Sequence, residues 1–203
     1  FGIIPLYSPP YKIDNITVKE EIELAYFIKD YLDLDYSKLN KSYLDSYFSI
    51  MSKQEVMEYY GMEPLTKRED AIVILDSMEN GRKLNQSIRW GITLKESGQL
   101  IGTIGLNNLS LKSKRAEIGY ELHPDYWRQG YTTEAVSSVL DFSFGQLELY
   151  RIGAITYPAN TSSNHLLLKM GFTLEGTLRG YLFQRNQSHD AYVFSLTRPE
   201  WDK

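Results

Sequence analysis

The 203-residue chain has no cysteine. That absence removes a disulfide framework, a thiolate nucleophile and thiolate zinc sites together, and it points to an intracellular setting. No run approaches the ~18 apolar residues of a membrane-spanning helix, and no basic segment leading into an apolar one opens the chain, so a cytoplasmic location without a membrane partner is expected. Phe1 stands where Met would, as in a processed or trimmed start. An excess of charge of either sign is also missing. The 22 Lys and Arg face 26 Asp and Glu, net −4, with no basic tail, which speaks against a nucleic-acid partner. Mild acidity suits a cationic substrate such as an amine, although it serves solubility equally well. His123, His165 and His189 are scattered without metal-ligand spacing, so no zinc or other metal site is expected.

What is present is an ordinary folding composition, 42% hydrophobic and 24% charged, at a length that suits one domain. The pattern changes near residue 86. Before it, Ile3 to Tyr7 reads as a short strand, and Thr17-Val18-Lys19-Glu20 as a capping box opening a helix to about Tyr31. Ser42 to Met51 and Gln54 to Tyr60 read as helical. A further helix from Thr66 places Ala71, Ile72, Leu75 and Met78 on one face and is expected to end at Asn80-Gly81.

After it, Ile88, Trp90, Ile92 and Leu94 alternate with Arg89, Gly91, Thr93 and Lys95, which predicts a half-buried strand. A turn at Ser97-Gly98 leads to a returning strand, Leu100 to Leu106, and then to a third, Ala116 to His123. The period then becomes helical at Ala135, Val136, Val139 and Leu140. A strand from Arg151 to Tyr157, a helix from Thr161 to Met170 capped by Gly171, and strands Phe172–Phe183 and His189–Leu196 around the turn Arg185–Ser188 complete the chain. This order implies an α/β (α+β) fold with a mixed sheet and helices on both faces.

The passage from Ile118-Gly119-Tyr120-Glu121-Leu122 into Arg128-Gln129-Gly130-Tyr131-Thr132-Thr133-Glu134 runs strand, tight loop, helix start. Unpaired N–H groups of a first helical turn, reinforced by the helix dipole, can hold a phosphate or pyrophosphate. A glycine before a helix is more often simple capping, with Thr132 or Thr133 as the cap.

The stretch from Ile101 to about Trp201 resembles the GNAT acetyltransferase superfamily, in its RimJ/RimL-type branch. The likeness rests on Ala116-Glu117-Ile118-Gly119-Tyr120-Glu121-Leu122-His123-Pro124, on Tyr126 to Ala135, on Asn160-Thr161-Ser162-Ser163-Asn164, and on Lys169-Met170-Gly171-Phe172 with Glu175-Gly176. Gln54 to Thr66 fits the same branch. The resemblance implies one domain over 1–203, with 1–40 an atypical extension and 86–197 the cofactor core. Its sheet would be twisted, of six to seven strands, with the strands Ala116–His123 and Arg151–Tyr157 splayed around acetyl-CoA.

By the same resemblance, pantetheine pairs with backbone at Glu121, Leu122 and His123. The pyrophosphate rests on Gln129, Gly130, Tyr131, Thr132 and Thr133, with Arg128 lending charge where the family commonly has Gly. Asn160 bonds the pantetheine arm, and Ser163 matches a hydroxyl proposed in some relatives to protonate the leaving thiolate. Candidate bases are Glu117 and Glu121, which share a strand face with His123; either would otherwise be a surface ion-pair partner, and Glu121 is favoured as nearer the gap. Leu182 stands where some relatives carry Glu. Tyr120, Tyr157 and Tyr181 are candidates for lining an acceptor pocket. The implied activity is acetyl transfer from acetyl-CoA to a primary amine, either a protein or peptide N-terminus or a small amine, by a monomer or homodimer. The alternative is a non-catalytic acyl-CoA sensor.

Overall fold

The computed structural model describes residues 34–35, 43–94 and 97–201. The strand expected at Ile3–Tyr7 and the helix expected from Thr17 to Tyr31 lie outside them. Seven strands form one sheet: β1 (Leu34–Asp35), β2 (Ile88–Leu94), β3 (Leu100–Ser110), β4 (Arg115–Leu122), β5 (Arg151–Thr156), β6 (Thr173–Gln184) and β7 (Gln187–Thr197), in the order β1-β2-β3-β4-β5-β7-β6. The helices are α1 (Leu44–Met51), α2 (Gln54–Met57), α3 (Arg68–Lys83), α4 (Tyr131–Asp141), α5 (Thr161–Lys169) and α6 (Arg198–Trp201). β2, β3 and β4 make the antiparallel meander, and β4 to β5 is the one parallel pairing among the described residues.

β2 departs from the half-buried strand its alternation predicts. Arg89 and Thr93 are as buried as Trp90 and Ile92, because α1 packs on β3 and α3 on β2 over the polar face. Successive side chains of a strand point to opposite faces, so Trp90 faces away from Arg89. There it meets Phe142, just beyond α4, edge-on at 5.4 Å. Helices therefore cover both faces.

Three boundaries move for local reasons. α3 continues through Gly81 to Lys83, and the left-handed cap is Asn85 (φ 55), with Gln86 N–H on the Gly81 carbonyl and Asn85 N–H on that of Arg82. Gly81 is there for space, since a Cβ would stand 2.4 Å from Ser87 Oγ. β3 runs on to Ser110 because β4 still pairs with it at Asn107↔Glu117 and Ser110↔Arg115. The last hairpin closes through Arg185 and Asn186 alone (φ 52 and 57), the two-residue left-handed turn that suits strand twist, rather than through Arg185–Ser188.

Two polar groups tie the β6–β7 hairpin down. The buried Gln184 amide donates to the carbonyls of Met57 (2.8 Å) and Met62 (2.9 Å) and accepts from Gly61 N–H (3.3 Å), which joins the hairpin to the loop after α2. On β6, Glu175 accepts from both Arg151 guanidinium nitrogens of β5, one of them at 2.7 Å, and from Ser195 Oγ of β7 at 2.8 Å.

Gln184→Ala strands two carbonyls and an N–H, and should lower stability by about 2–3 kcal/mol, seen as a lower urea midpoint at unchanged m. An unmoved midpoint would mean that the clamp contributes nothing. Glu175 offers a pH test. Hydrogen bonds from Arg151 and then Ser195 hold its carboxyl at about 2, below the ordinary 4.5. A depressed folded-state value stabilises above the unfolded pKa and is lost as pH falls through the folded one, here from about 4.5 toward 2. The effect is small because Arg151 and Glu175 stay more than a third exposed. Thermal melts of Glu175→Gln should show a shallower decline than wild type across that window, and parallel curves would refute the assignment.

Candidate active site

β4 and β5 pair over only Arg115↔Arg151, Ala116↔Ile152 and Glu117↔Gly153. Beyond them β4 stays on β3 as far as Gly102↔Leu122, while β5 stays on β7 as far as Thr156↔Tyr192. The stretch Ile118–Leu122 is left with an open edge. Which backbone groups line that edge follows from parity. His123 N–H bonds the Ile101 carbonyl at 2.7 Å, so the peptide groups of His123 and, two residues back, of Glu121 are turned to β3. Leu122 and Tyr120 face the opening. Of the three residues expected to offer backbone there, Leu122 has its peptide N–H on the open side, while the peptide groups of Glu121 and His123 are turned to β3. The Leu122 carbonyl is held by Trp127 Nε1 at 2.7 Å, which leaves its N–H toward the gap.

The loop after β4 is shaped locally. His123 Nδ1 accepts from Asp125 N–H at 3.3 Å and caps the short turn Pro124–Tyr126, and Gln129 Nε2 donates to the Asp125 carbonyl at 2.8 Å. Arg128 and Gly130 are both left-handed, with φ of 60 and 93. Gly130 is the N-cap of α4, with no side-chain cap, so Thr132 and Thr133 lie inside the first turn rather than closing it. The first helical bond is Glu134 N–H to the Gly130 carbonyl, and the N–H groups of Tyr131, Thr132 and Thr133 point out along the helix axis. A Cβ on Gly130 would meet nothing within 4 Å, so the cradle has room for an anion.

Across the opening, Asn160 Oδ1 accepts from Ser163 N–H at 3.2 Å and caps α5, which sets Ser163 in the first turn. The buried Asn164 was not singled out from sequence. It accepts from Thr156 Oγ1 at 2.6 Å and donates to the carbonyls of Tyr157 (3.3 Å) and Pro158 (3.0 Å), fixing α5 to the end of β5. Tyr120 reaches toward this helix from β4. Its hydroxyl is buried, and burial raises its pKa to about 12, against a smaller lowering by Ser163.

The two candidate bases separate. Glu117 sits opposite Gly153 in the paired stretch, short of the opening, and accepts from Asn108 Nδ2 at 2.9 Å. Glu121 is not a surface ion-pair partner: its side chain is 2% exposed. It accepts from Arg89 Nη1 at 2.6 Å, from Thr103 Oγ1, and from the Tyr60 hydroxyl at 3.3 Å. Burial works against the Arg89 charge, but Glu121, with Tyr60 and Tyr47, raises its pKa on balance; burial and then Glu121 push Tyr60 well above the ordinary tyrosine range. Arg89, Thr103 and Tyr60 were missed in the sequence, where Arg89 reads as solvent-facing. The available signal was Gly105 and Gly119 beside it: a Cβ on Gly119 would lie 3.3 Å from Arg89 Nη2.

Of the other tyrosines, Tyr157 is buried between Tyr59 (5.8 Å) and His189 (5.5 Å), whereas Tyr181 is 59% exposed on the edge strand. Among the described residues no three His, Asp or Glu side chains gather to hold a metal ion, and no helix is long and apolar enough to cross a membrane.

An open strand edge thus faces a helix start, with the uncapped first turn of α4 beside it, an arrangement that suits an extended ligand carrying a phosphate. The acetyltransferase (GNAT) domain family matches residues 34–173. The uncharacterized N-acetyltransferase YoaA of Bacillus subtilis (strain 168) is 42% identical over 76% of this chain and 88% of its own. The spermidine N(1)-acetyltransferase of Escherichia coli (strain K12) is 29% identical over 67% of this chain and 70% of its own. The structure of Mycobacterium smegmatis RimJ in complex with CoA-disulfide superposes with a TM-score of 0.73 at 22% identity, over 81% of this chain and 82% of that one.

The chain belongs to the GNAT acetyltransferase family and is an N-acetyltransferase that uses acetyl-CoA.

The loop assignment has a direct test. Gly130→Ala and Gly130→Asp share the left-handed backbone penalty of about 1 kcal/mol, and only the second adds a carboxylate. Beside a pyrophosphate that charge should weaken acetyl-CoA binding about tenfold or more beyond the Ala variant, by calorimetry. Equal affinities in two folded variants would move the pyrophosphate elsewhere.

Proposed function

We propose that the acyl donor lies in the opening between β4 and β5 and that the acceptor is the α-amino group of a protein or peptide. The pyrophosphate sits on the N–H groups of Gly130 to Thr133, with Arg128 at its edge. Leu122 N–H donates to the thioester carbonyl oxygen as charge develops on it, and the Ser163 hydroxyl faces the leaving sulfur. Asn160 and Tyr120 border the pantetheine arm. Glu117, held by Asn108 before the strands part, takes no part in this reading.

The observation that carries the choice of acceptor is the engagement of Glu121. It is the one buried carboxylate among the described residues, and both its oxygens are taken by Arg89, Thr103 and Tyr60. A site without a free base favours an amine that is already partly neutral. An α-amino group, with a pKa of about 8, is roughly a tenth neutral at pH 7, whereas a lysine-like amine near 10.4 is neutral in fewer than about one molecule in a thousand. Glu121 then orients Tyr60 toward the acceptor instead of removing the proton. The name of the Escherichia coli relative favours a polyamine, which is the competing outcome.

Thiol release measured over peptides with free N-termini, N-blocked lysine peptides and spermidine decides between them. Faster turnover of spermidine than of any peptide would overturn the α-amino assignment. With a peptide acceptor, kcat/KM should rise with pH and level off above about 8, as the neutral amine accumulates. Ser163→Ala should lower kcat about tenfold or more with little change in the KM for acetyl-CoA.

A further inference from the structure

We propose that Tyr157 is the specificity-determining residue that separates a peptide acceptor from a simple amine, its hydroxyl donating to the carbonyl oxygen of the acceptor's first residue. This rests on the peptide-acceptor reading given above.

The position follows from register. Glu117 and Gly153 are the last partners across β4 and β5, so they point to one face of the sheet. Glu121 and Tyr157 lie the same distance further along the chain from that pair, on the same face, with the opening between them. Thr156, one residue earlier, turns to the other face, where its hydroxyl donates to Asn164 of α5 at 2.6 Å. The end of α2 and its loop reach both sides of the opening with successive residues. The Tyr60 hydroxyl donates to Glu121 Oε2 at 3.3 Å, and the Tyr59 ring lies 5.8 Å from that of Tyr157. Gln184 fixes this segment through the backbone of Met57, Gly61 and Met62. Ser163 lies on α5, on the opposite face, which leaves the face of Tyr157 to the acceptor.

Tyr157 is held at every point except its hydroxyl. It is 7% exposed, with its ring between Tyr59 and His189, and its main-chain carbonyl accepts from Asn160 N–H at 2.9 Å and Asn164 Nδ2 at 3.3 Å. His189 is engaged elsewhere, its Nε2 at 3.3 Å from the Gln184 carbonyl. The Tyr157 hydroxyl is buried and has no hydrogen-bond partner. Such a group is unfavourable in the free protein, so a ligand atom that satisfies it gains more than it would at the surface. Burial raises its pKa against a smaller lowering by Arg185, so the hydroxyl keeps its proton and acts as a donor. A peptide N-terminus carries a carbonyl one carbon away from the attacking nitrogen, whereas spermidine and alkyl amines carry none. A fixed donor beside the amine therefore reads that carbonyl.

The test uses the intact chain, wild type and Tyr157→Phe, with an alanine-initiated peptide and the same peptide with sulfur in place of its first carbonyl oxygen. Sulfur is the weaker hydrogen-bond acceptor, so wild type should lose about tenfold in kcat/KM on the thioamide. Tyr157→Phe should lose about tenfold on the ordinary peptide and show no preference between the two, with the KM for acetyl-CoA within about twofold of wild type. Its melting temperature without ligand should not fall, because the hydroxyl has no bond to lose. Equal losses on both peptides would make Tyr157 a packing residue and overturn its role, and so would wild-type rates on both; either leaves the peptide reading intact. Faster turnover of spermidine than of any peptide by wild type would remove that reading, and the carbonyl contact with it.

Discussion

The parting of β4 from β5 after Glu117↔Gly153 is the constraint on which the rest of the site depends. Each strand is held away from the other by its own neighbour. β4 stays in the antiparallel ladder of β3 up to His123 N–H on Ile101, and β5 stays on β7 until Thr156. Asn164 then fastens the end of β5 and the following loop to α5. Backbone groups that would have completed a parallel ladder at Tyr120 and Leu122 are left facing the opening. Buried backbone polar groups nearly always find partners, so such an edge is a template for an extended polar ligand.

The cluster of Arg89, Thr103, Glu121 and Tyr60 is what holds β4 in register on its closed side. A buried ion pair adds little net stability, because desolvating both charges offsets most of their attraction, yet removing either partner would leave a charge stranded. Its effect is therefore one of placement. Arg89 on β2 reaches past the glycine row of β3 and β4 to Glu121, so three strands are fixed by one side chain. The same bonds occupy both carboxylate oxygens. A residue that looks like a base by position is thus tied to structure by its partners.

Much of the fold is legible in the sequence because it depends on short-range periodicity. The alternation at Ile88 to Leu94, the helical spacing of Ala135 to Leu140, and the order of loop, helix and strand around Gly130 all appear in the structure close to where they were expected. The errors share one cause. Arg89 reads as exposed because its own strand alternates, but α1 and α3, distant in sequence, cover that face. Glu117 and Glu121 share a face, with Glu121 favoured as nearer the gap, and the point where β5 leaves β4 falls between them. That Glu121 is buried under Arg89 and Tyr60 is not written in its strand. Which peptide groups of β4 turn to the gap depends on hydrogen-bond parity with β3, which no spacing within β4 encodes.

Arg128 stands in the loop at a conformational cost. Its φ of 60 is one that glycine adopts freely and a side-chain-bearing residue adopts at a cost of about 1 kcal/mol or more. This chain thus holds a conformation suited to Gly with a residue that makes it costly. Two features sustain it: Gln129 bonds back to the Asp125 carbonyl, and Trp127 is anchored on Leu122. Both are bonds within the loop, formed before any ligand arrives. The shape of the loop is therefore set by the backbone and its local ties, with the arginine side chain added to it.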